Sequence, residues 1–452
     1  MGKSHLIILL VIFGIYAILQ ANFTMINRIS GRILILFFVG AFAACGPASK
    51  SVRSPQKEEM ESSETFFNKL FEDKTAFGTV VSNKDAWNVQ VIYTKIDRNS
   101  SNKPRLTTYS YNERPGYFYP ASTVKFPIAI LSLQKLNELK MEGIEKNTTM
   151  LTEAAYSGQT PVYNDPNTAD GRPTIENYLR KIFLVSDNDA SNRLYEFLGQ
   201  EYVNRELHKK GYGEAQILHR LSIGLTEDEN RHTNPVKFYD SSGKLIYSQE
   251  LMQSSLVYQT RKDFLGKGYY ANGSLVNAPM DFSKKNRIDL ASLHKIITSL
   301  IFPGKVKASE RFRLTENDRN FLLEQMSMFP GESVYPSYDT TEYYKAYAKF
   351  IFYGSQSDIT PGKIRIFNKV GNAYGQLIDV AYFCDFENKV EFFVSAAITC
   401  NTDGILNDDK YDYSTIGYPF MKNLGEALYA YELKRTKKHL PDLSSFVYRY
   451  NK

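Results

Sequence analysis

The order of hydrophobic and polar positions divides the chain into alternating stretches and helically periodic ones. Residues 87–96 and 105–111 alternate apolar with polar and are rich in Val, Ile, Thr and Tyr, which predicts two antiparallel strands. Three further strands are predicted at 363–369, 376–386 and 390–399, with a turn at Glu387-Asn388-Lys389 joining the last two. Helical spacing recurs at 66–77, 121–139, 174–185, 190–198, 288–301, 316–328 and 418–433. In the third of these, Ile175, Tyr178, Leu179, Ile182 and Phe183 share one face. A hairpin is predicted where 236–239 and 244–247 flank Asp240-Ser241-Ser242-Gly243. The order is helix, strands, a helical middle, strands, helix. It predicts an α+β fold: an antiparallel sheet built from both chain ends with flanking helices, and an all-helical region inserted between them.

Two apolar runs, 6–19 and 33–44, precede all of this, and neither reaches the roughly 20 residues of a comfortable membrane span. Arg28 and Arg32 stand before the second run, which ends in Phe42-Ala43-Ala44-Cys45. That order resembles a bacterial lipoprotein signal, with Phe42 where leucine is usual, and implies that Cys45 is lipidated and begins the mature chain. An uncleaved membrane anchor is the alternative, and Met25 is an alternative start. Either way the body of the protein is expected to be exported; the lipoprotein reading anchors it to a membrane, facing the periplasm. Residues 1–44 are then signal, 45–61 a polar and aperiodic tether, 62–436 the folded domain and 437–452 a C-terminal tail.

Composition narrows the chemistry. A chain of 452 residues, 43% hydrophobic and 23% charged, suffices for one large or two ordinary globular domains. The 55 basic and 49 acidic residues leave a formal charge of +6 without a block of one sign, which gives no case for a nucleic-acid partner. Six scattered histidines with no His-x-x-x-His spacing predict no metal site, and no cofactor is expected. The 32 Tyr and 29 Phe suit a β-rich core and a cleft for a ring-bearing ligand. Cys384 and Cys400 flank the predicted turn out of register with each other, so both read as buried structural thiols.

One stretch carries nucleophile chemistry. In Ala121-Ser122-Thr123-Val124-Lys125 a serine and a lysine stand three apart where a helix is predicted to begin, so Ser122 Oγ and Lys125 Nζ can share a face. A hydroxyl needs a base to become a nucleophile, and a buried, neutral lysine is such a base. A lone Ser-x-x-Lys is more often a solvated helix edge, so the context decides. Two more motifs supply it in chain order: Ser186-Asp187-Asn188 and, on a predicted strand, Lys369-Val370-Gly371.

With these three motifs the chain, over roughly 66–433, resembles the penicillin-recognising serine hydrolases, most closely class A β-lactamases. The resemblance implies a β-lactamase/transpeptidase-like fold and an acyl-enzyme on Ser122. Lys125 would take the hydroxyl proton, Ser186 relay it to the leaving nitrogen, and Asn188 bind the substrate amide. Lys369 would order Ser186 and draw in a carboxylate, while the backbone N–H groups of Ser122 and of Asn372, just after Gly371, would form the oxyanion hole. The implied partner is a β-lactam or a peptidoglycan peptide.

Two features depart from that pattern. Val370 replaces the usual threonine or serine, so a hydroxyl that would bind a ligand carboxylate is missing. The segment 218–233, with Arg220 and Arg231 at its ends, looks like a short Ω-loop and lacks the Glu-x-x-Leu-Asn motif whose glutamate activates the deacylating water. Glu227 and Glu229 are the nearest substitutes, against the competing reading of solvated loop charges. An extra segment, 232–286, is long for the family. Alternatives to the hydrolase are a D-alanyl-D-alanine peptidase of cell-wall metabolism and a non-catalytic penicillin-binding-like module.

Overall fold

A computed structural model describes residues 61–112 and 116–450. Cys45, both apolar runs and the tether up to residue 60 lie outside the described residues. Helices α1 (Ser63–Leu70) and α2 (Lys74–Ser82) open the domain in place of the single helix predicted at 66–77. The break falls at Asp73, whose carboxylate caps the backbone N–H groups of Thr75 and Ala76 and so starts a new helix.

Strands β1 (Gln90–Arg98) and β2 (Pro104–Tyr111) follow, then a tight turn over Ala121–Val124 that runs into α3 (Lys125–Leu139). The next elements are β3 (Thr149–Thr152), α4 (Ile175–Leu184), α5 (Asn188–Leu198), α6 (Gln200–Lys209), the short α7 (Glu227–Arg231), and the hairpin β4 (Val236–Tyr239) and β5 (Leu245–Gln249). Helices α8 (Leu290–Ile301) and α9 (Glu316–Ser327) lead to β6 (Ile364–Ala373), β7 (Gln376–Asp385), β8 (Val390–Thr399) and α10 (Tyr418–Lys434).

The sheet order is β6-β7-β8-β1-β2, antiparallel throughout, so the first and last thirds of the chain complete one sheet. Alternate residues of β7 and β8 enter two apolar clusters: Ile378, Tyr382 and Phe393 pack with α3, α4 and α8, whereas Leu377, Phe383 and Phe392 pack with α1 and α10. Burial on both faces explains why these strands read as continuous apolar runs. The middle region is mainly helical and also carries a three-stranded sheet, β3-β4-β5, whose hairpin matches the predicted one.

Cys384 pairs across the ladder with Glu391, and the two buried thiols belong to different clusters. The stretch treated as a tail is packed: Leu443 and Phe446 are buried, and the Phe446 ring lies 5.1 Å from that of Tyr382. Helix α10 meets the chain at Phe352 so closely that a Cβ on Gly425 would fall 2.3 Å from the Phe352 backbone nitrogen. Alanine gains about 1 kcal/mol of helix propensity over glycine, but overpacking costs typically about 1–3 kcal/mol. Gly425→Ala is therefore expected to lower the melting temperature, read by circular dichroism; an unchanged or raised value would contradict this packing.

Candidate active site

Ser122 sits in the turn just before α3, half-buried, on the wall of a cavity of about 480 Å³. The turn is held by the Pro120 carbonyl, which accepts from both the backbone N–H (3.0 Å) and the hydroxyl (2.6 Å) of Thr123. Ala121, directly before the serine, has a left-handed φ of 48°, a conformation that a residue with a Cβ keeps only when its surroundings impose it. Pro127 falls in the first turn of α3, where a missing N–H costs nothing.

Lys125 is fully buried, and burial lowers its pKa from 10.5 to about 7. Its Nζ donates to the Ser186 carbonyl oxygen, to Ser186 Oγ (3.3 Å) and to Asn188 Oδ1 (2.6 Å). Among the described residues no hydrogen bond joins it to Ser122, the partner expected from helical spacing alone. Lys369, on β6, donates to Ser186 Oγ at 2.7 Å and to the Val370 carbonyl at 2.8 Å. Burial, reinforced by the Lys125 charge, holds its pKa well below the ordinary lysine value. Ser186 Oγ is thus held between two desolvated lysine amino groups.

The Ser-Asp-Asn tripeptide has a division of labour. Ser186 takes a left-handed φ of 60° between α4 and α5 and offers both its carbonyl and its hydroxyl to Lys125. Asp187 caps α5, accepting from the Ala190 N–H at 2.8 Å. Asn188 begins the helix, accepts from Lys125 and donates to Ser222 Oγ at 2.8 Å.

Gly371 brings the edge strand β6 against the nucleophile turn. A Cβ there would lie 2.9 Å from Pro120 O, 2.9 Å from Thr123 N and 3.0 Å from Ser122 N, all main-chain atoms that cannot swing aside. Asn372, next along the strand, lines the Ser122 cavity. Val370 points to the opposite layer, buried in the apolar cluster beneath α10, where a hydroxyl would need a partner of its own.

Glu227 and Glu229 are not brought to Ser122. Neither lines its cavity: Glu227 is exposed and pairs with Lys284 at 2.5 Å. Glu229 closes a capping box on α7 with Thr226 and accepts from Ser157 Oγ at 2.8 Å. Hydrogen bonds from the Thr226 backbone, Ser157 and the Thr226 hydroxyl lower its pKa, which makes it a weaker base. The sequence signal for this capping role was present, a threonine three residues before a glutamate.

The loop is closed by Arg220. Arg220 is buried on Glu196 (2.8 Å) and donates to the His232 carbonyl (3.0 Å) and Asn234 Oδ1 (3.1 Å). Arg231 instead holds the carbonyls of Ser254 and Leu256 in the extra segment. That segment buttresses the site: the Phe282 ring packs on Tyr119 (5.6 Å) and Tyr374 (5.1 Å), both on the cavity wall. Ser222, Tyr119, Tyr374, Tyr411, Tyr413 and Asp409 also line the cavity and carry no motif in the sequence.

Residues 75–257 match the sequence model described as the β-lactamase enzyme family, a span that includes Ser122, Lys125, Ser186 and Asn188 and stops before β6. No curated protein matches. Among solved structures, a β-lactamase from Xanthomonas campestris pv. campestris is similar at 11% identity and a TM-score of 0.44, over 81% of this chain and 99% of that one. An ancestral class A β-lactamase gives 12%, 0.43, 80% and 99%, and a class A β-lactamase from Clostridium kluyveri 14%, 0.43, 79% and 99%.

The close approach at Gly371 has a direct test. Gly371→Ala must push β6 off the turn, and a displacement of about 1 Å at a reacting group can cost about 10²-fold in rate. Labelling of Ser122 by an activated ester, followed by intact mass, is expected to slow by about that factor with the fold retained. Unchanged labelling would mean that the contact does not position Ser122.

Proposed function

Taking the chain as β-lactamase-like over residues 75–257, we propose that it is a serine hydrolase acylated at Ser122 by β-lactams or related amides. The observation that carries this reading is the Ser186 hydroxyl, 3.3 Å from Lys125 Nζ and 2.7 Å from Lys369 Nζ. Ser122 Oγ attacks the carbonyl carbon while neutral Lys125 takes the hydroxyl proton. The carbonyl oxygen, now negative, is met by the backbone N–H groups of Ser122 and Asn372. As the tetrahedral adduct collapses, Ser186 gives its proton to the departing nitrogen and is refilled from Lys125. Lys369 keeps Ser186 oriented, and Asn188 exchanges its bond to Ser222 for one to the substrate amide.

Deacylation needs a water deprotonated beside the ester, help that is typically worth about 10²–10⁴-fold. Glu227 and Glu229 are engaged elsewhere, and the one carboxylate on the described lining of the cavity is Asp409, exposed to solvent. This favours a slowly released acyl-enzyme, which is also how a penicillin-binding module without efficient turnover would behave. Export and lipidation at Cys45 belong to the same proposal and rest on the order Arg28, Arg32, apolar run, Phe42-Ala43-Ala44-Cys45. Mass spectrometry of membrane-extracted protein is expected to find no peptide upstream of Cys45; recovery of 25–32 peptides from mature protein would refute lipidation there.

An intact-mass time course with a penicillin tests the enzyme reading. One adduct is expected on the native protein and none on Ser122→Ala or Lys125→Ala. Only the neutral amine can accept a proton, so the acylation rate should rise with pH through about 7 and level off above it. The adduct should persist for minutes or longer and be unaffected by Glu227→Gln. Labelling that survives in Ser122→Ala sinks the nucleophile assignment, and rapid multiple turnover sinks the slow-release reading.

A further inference from the structure

A second cavity, of about 790 Å³, lies between the loop after His219 and the stretch 255–261 of the extra segment. It shares a wall with the Ser122 cavity. Leu221 and Ser222 line one side, Ile223 and Leu225 the other, and the His219 ring on this side lies parallel to Tyr119 on that side, 6.2 Å away at 3°.

The charges around this cavity do not cancel. Four cations line it, Arg231, Arg261, Lys284 and Lys285, against two carboxylates, Glu227 and Asp281. Glu227 is taken by Lys284, and Asp281 accepts from the Ser283 N–H at 2.7 Å. Arg231 is spent on two backbone carbonyls. Lys285 has no hydrogen bond or ion pair among the described residues, and burial alone lowers its pKa.

Arg261 is the stronger sign. Its side chain is 7% exposed, yet Nε and Nη1 have no hydrogen-bond partner. Nη1 lies 2.9 Å from Asp263 Oδ2 without the orientation of a hydrogen bond, while Nη2 donates to the Lys285 carbonyl. Donors left this way are costly unless something supplies acceptors. Among polar side chains such as Gln216, Gln259 and Thr260 the lining also carries apolar ones, Ile223, Leu225 and Leu256, and Val257 beside them stands 95% exposed.

We propose that this cavity binds a small amphipathic anion, its charged end on Arg261 and Lys285 and its apolar body against Ile223, Leu225 and Val257. The site is separate from Ser122 and does not depend on the acylation reading. Both faces of one loop serve the two cavities, so an occupant here would bear on the Ser222–Asn188 hydrogen bond.

Calorimetric titration of the full chain with octanoate tests this, beside octanamide as the neutral counterpart. Octanoate is expected to bind one to one, octanamide about tenfold or more weaker, and Lys285→Gln to weaken octanoate by a similar factor. Ser122→Ala should bind octanoate like the native protein, which separates this site from the acylation cavity. No octanoate binding, or octanamide binding equally well, overturns the proposal on the native protein alone. Equal octanoate binding by a folded Lys285→Gln variant overturns it as well; should that variant misfold, the octanoate–octanamide comparison decides.

Discussion

Two lysine side chains are desolvated around one serine hydroxyl, and the rest of the site answers to that constraint. A buried ammonium is tolerable only with acceptors around it. Lys125 finds them in the Ser186 carbonyl, Ser186 Oγ and Asn188 Oδ1; Lys369 finds them in Ser186 Oγ and the Val370 carbonyl. Supplying both acceptors from one residue requires Ser186 to turn into the left-handed region, a strained backbone that its neighbours on α4 and α5 hold in place. The same burial that makes the lysines costly lowers their pKa, so what strains the fold prepares the chemistry.

The second requirement is a close approach between the two ends of the fold. Lys369 reaches Ser186 only because β6 runs hard against the turn that carries Ser122, and only glycine fits at position 371. One main-chain contact therefore joins the sheet, completed by the C-terminal third, to a helix from the N-terminal third. Val370, on the other face of the same strand, serves the apolar layer under α10. The departure from a hydroxyl residue there is thus a packing fact.

The loop region shows how a missing group is matched by its surroundings. None of the loop's carboxylates lines the Ser122 cavity: Glu229 caps α7 and Glu227 pairs with Lys284 of the extra segment. The extra segment contributes Phe282 to the cavity wall and, behind the loop, part of a second chamber on which Lys285 has no ion-pair partner among the described residues.

What is local can be read from the order of residues alone. Ser122 and Lys125 stand three apart at a helix start, Ser186-Asp187-Asn188 sits between two helical periodicities, and Lys369 lies on an apolar strand, because spacing of 3.6 and 2 residues reports which face a side chain takes. The antiparallel sheet was legible for the same reason, from the strand runs at both ends of the chain. Partners across space were not legible. Periodicity does not say that Lys125 spends its protons on Ser186 and Asn188 rather than Ser122, nor that Gly371 touches the nucleophile turn. It does not say that Arg220 closes its loop through Asn234, or that Phe282 from the extra segment and tyrosines from three separate stretches wall the cavity. The stretch after 437 looked like a tail because its apolar residues, Leu443 and Phe446, are too few to show a period. Only packing against Tyr382 makes them core. Those contacts join residues far apart in the chain, and their energies come from desolvation and close packing, which exist only once the chain has closed on itself.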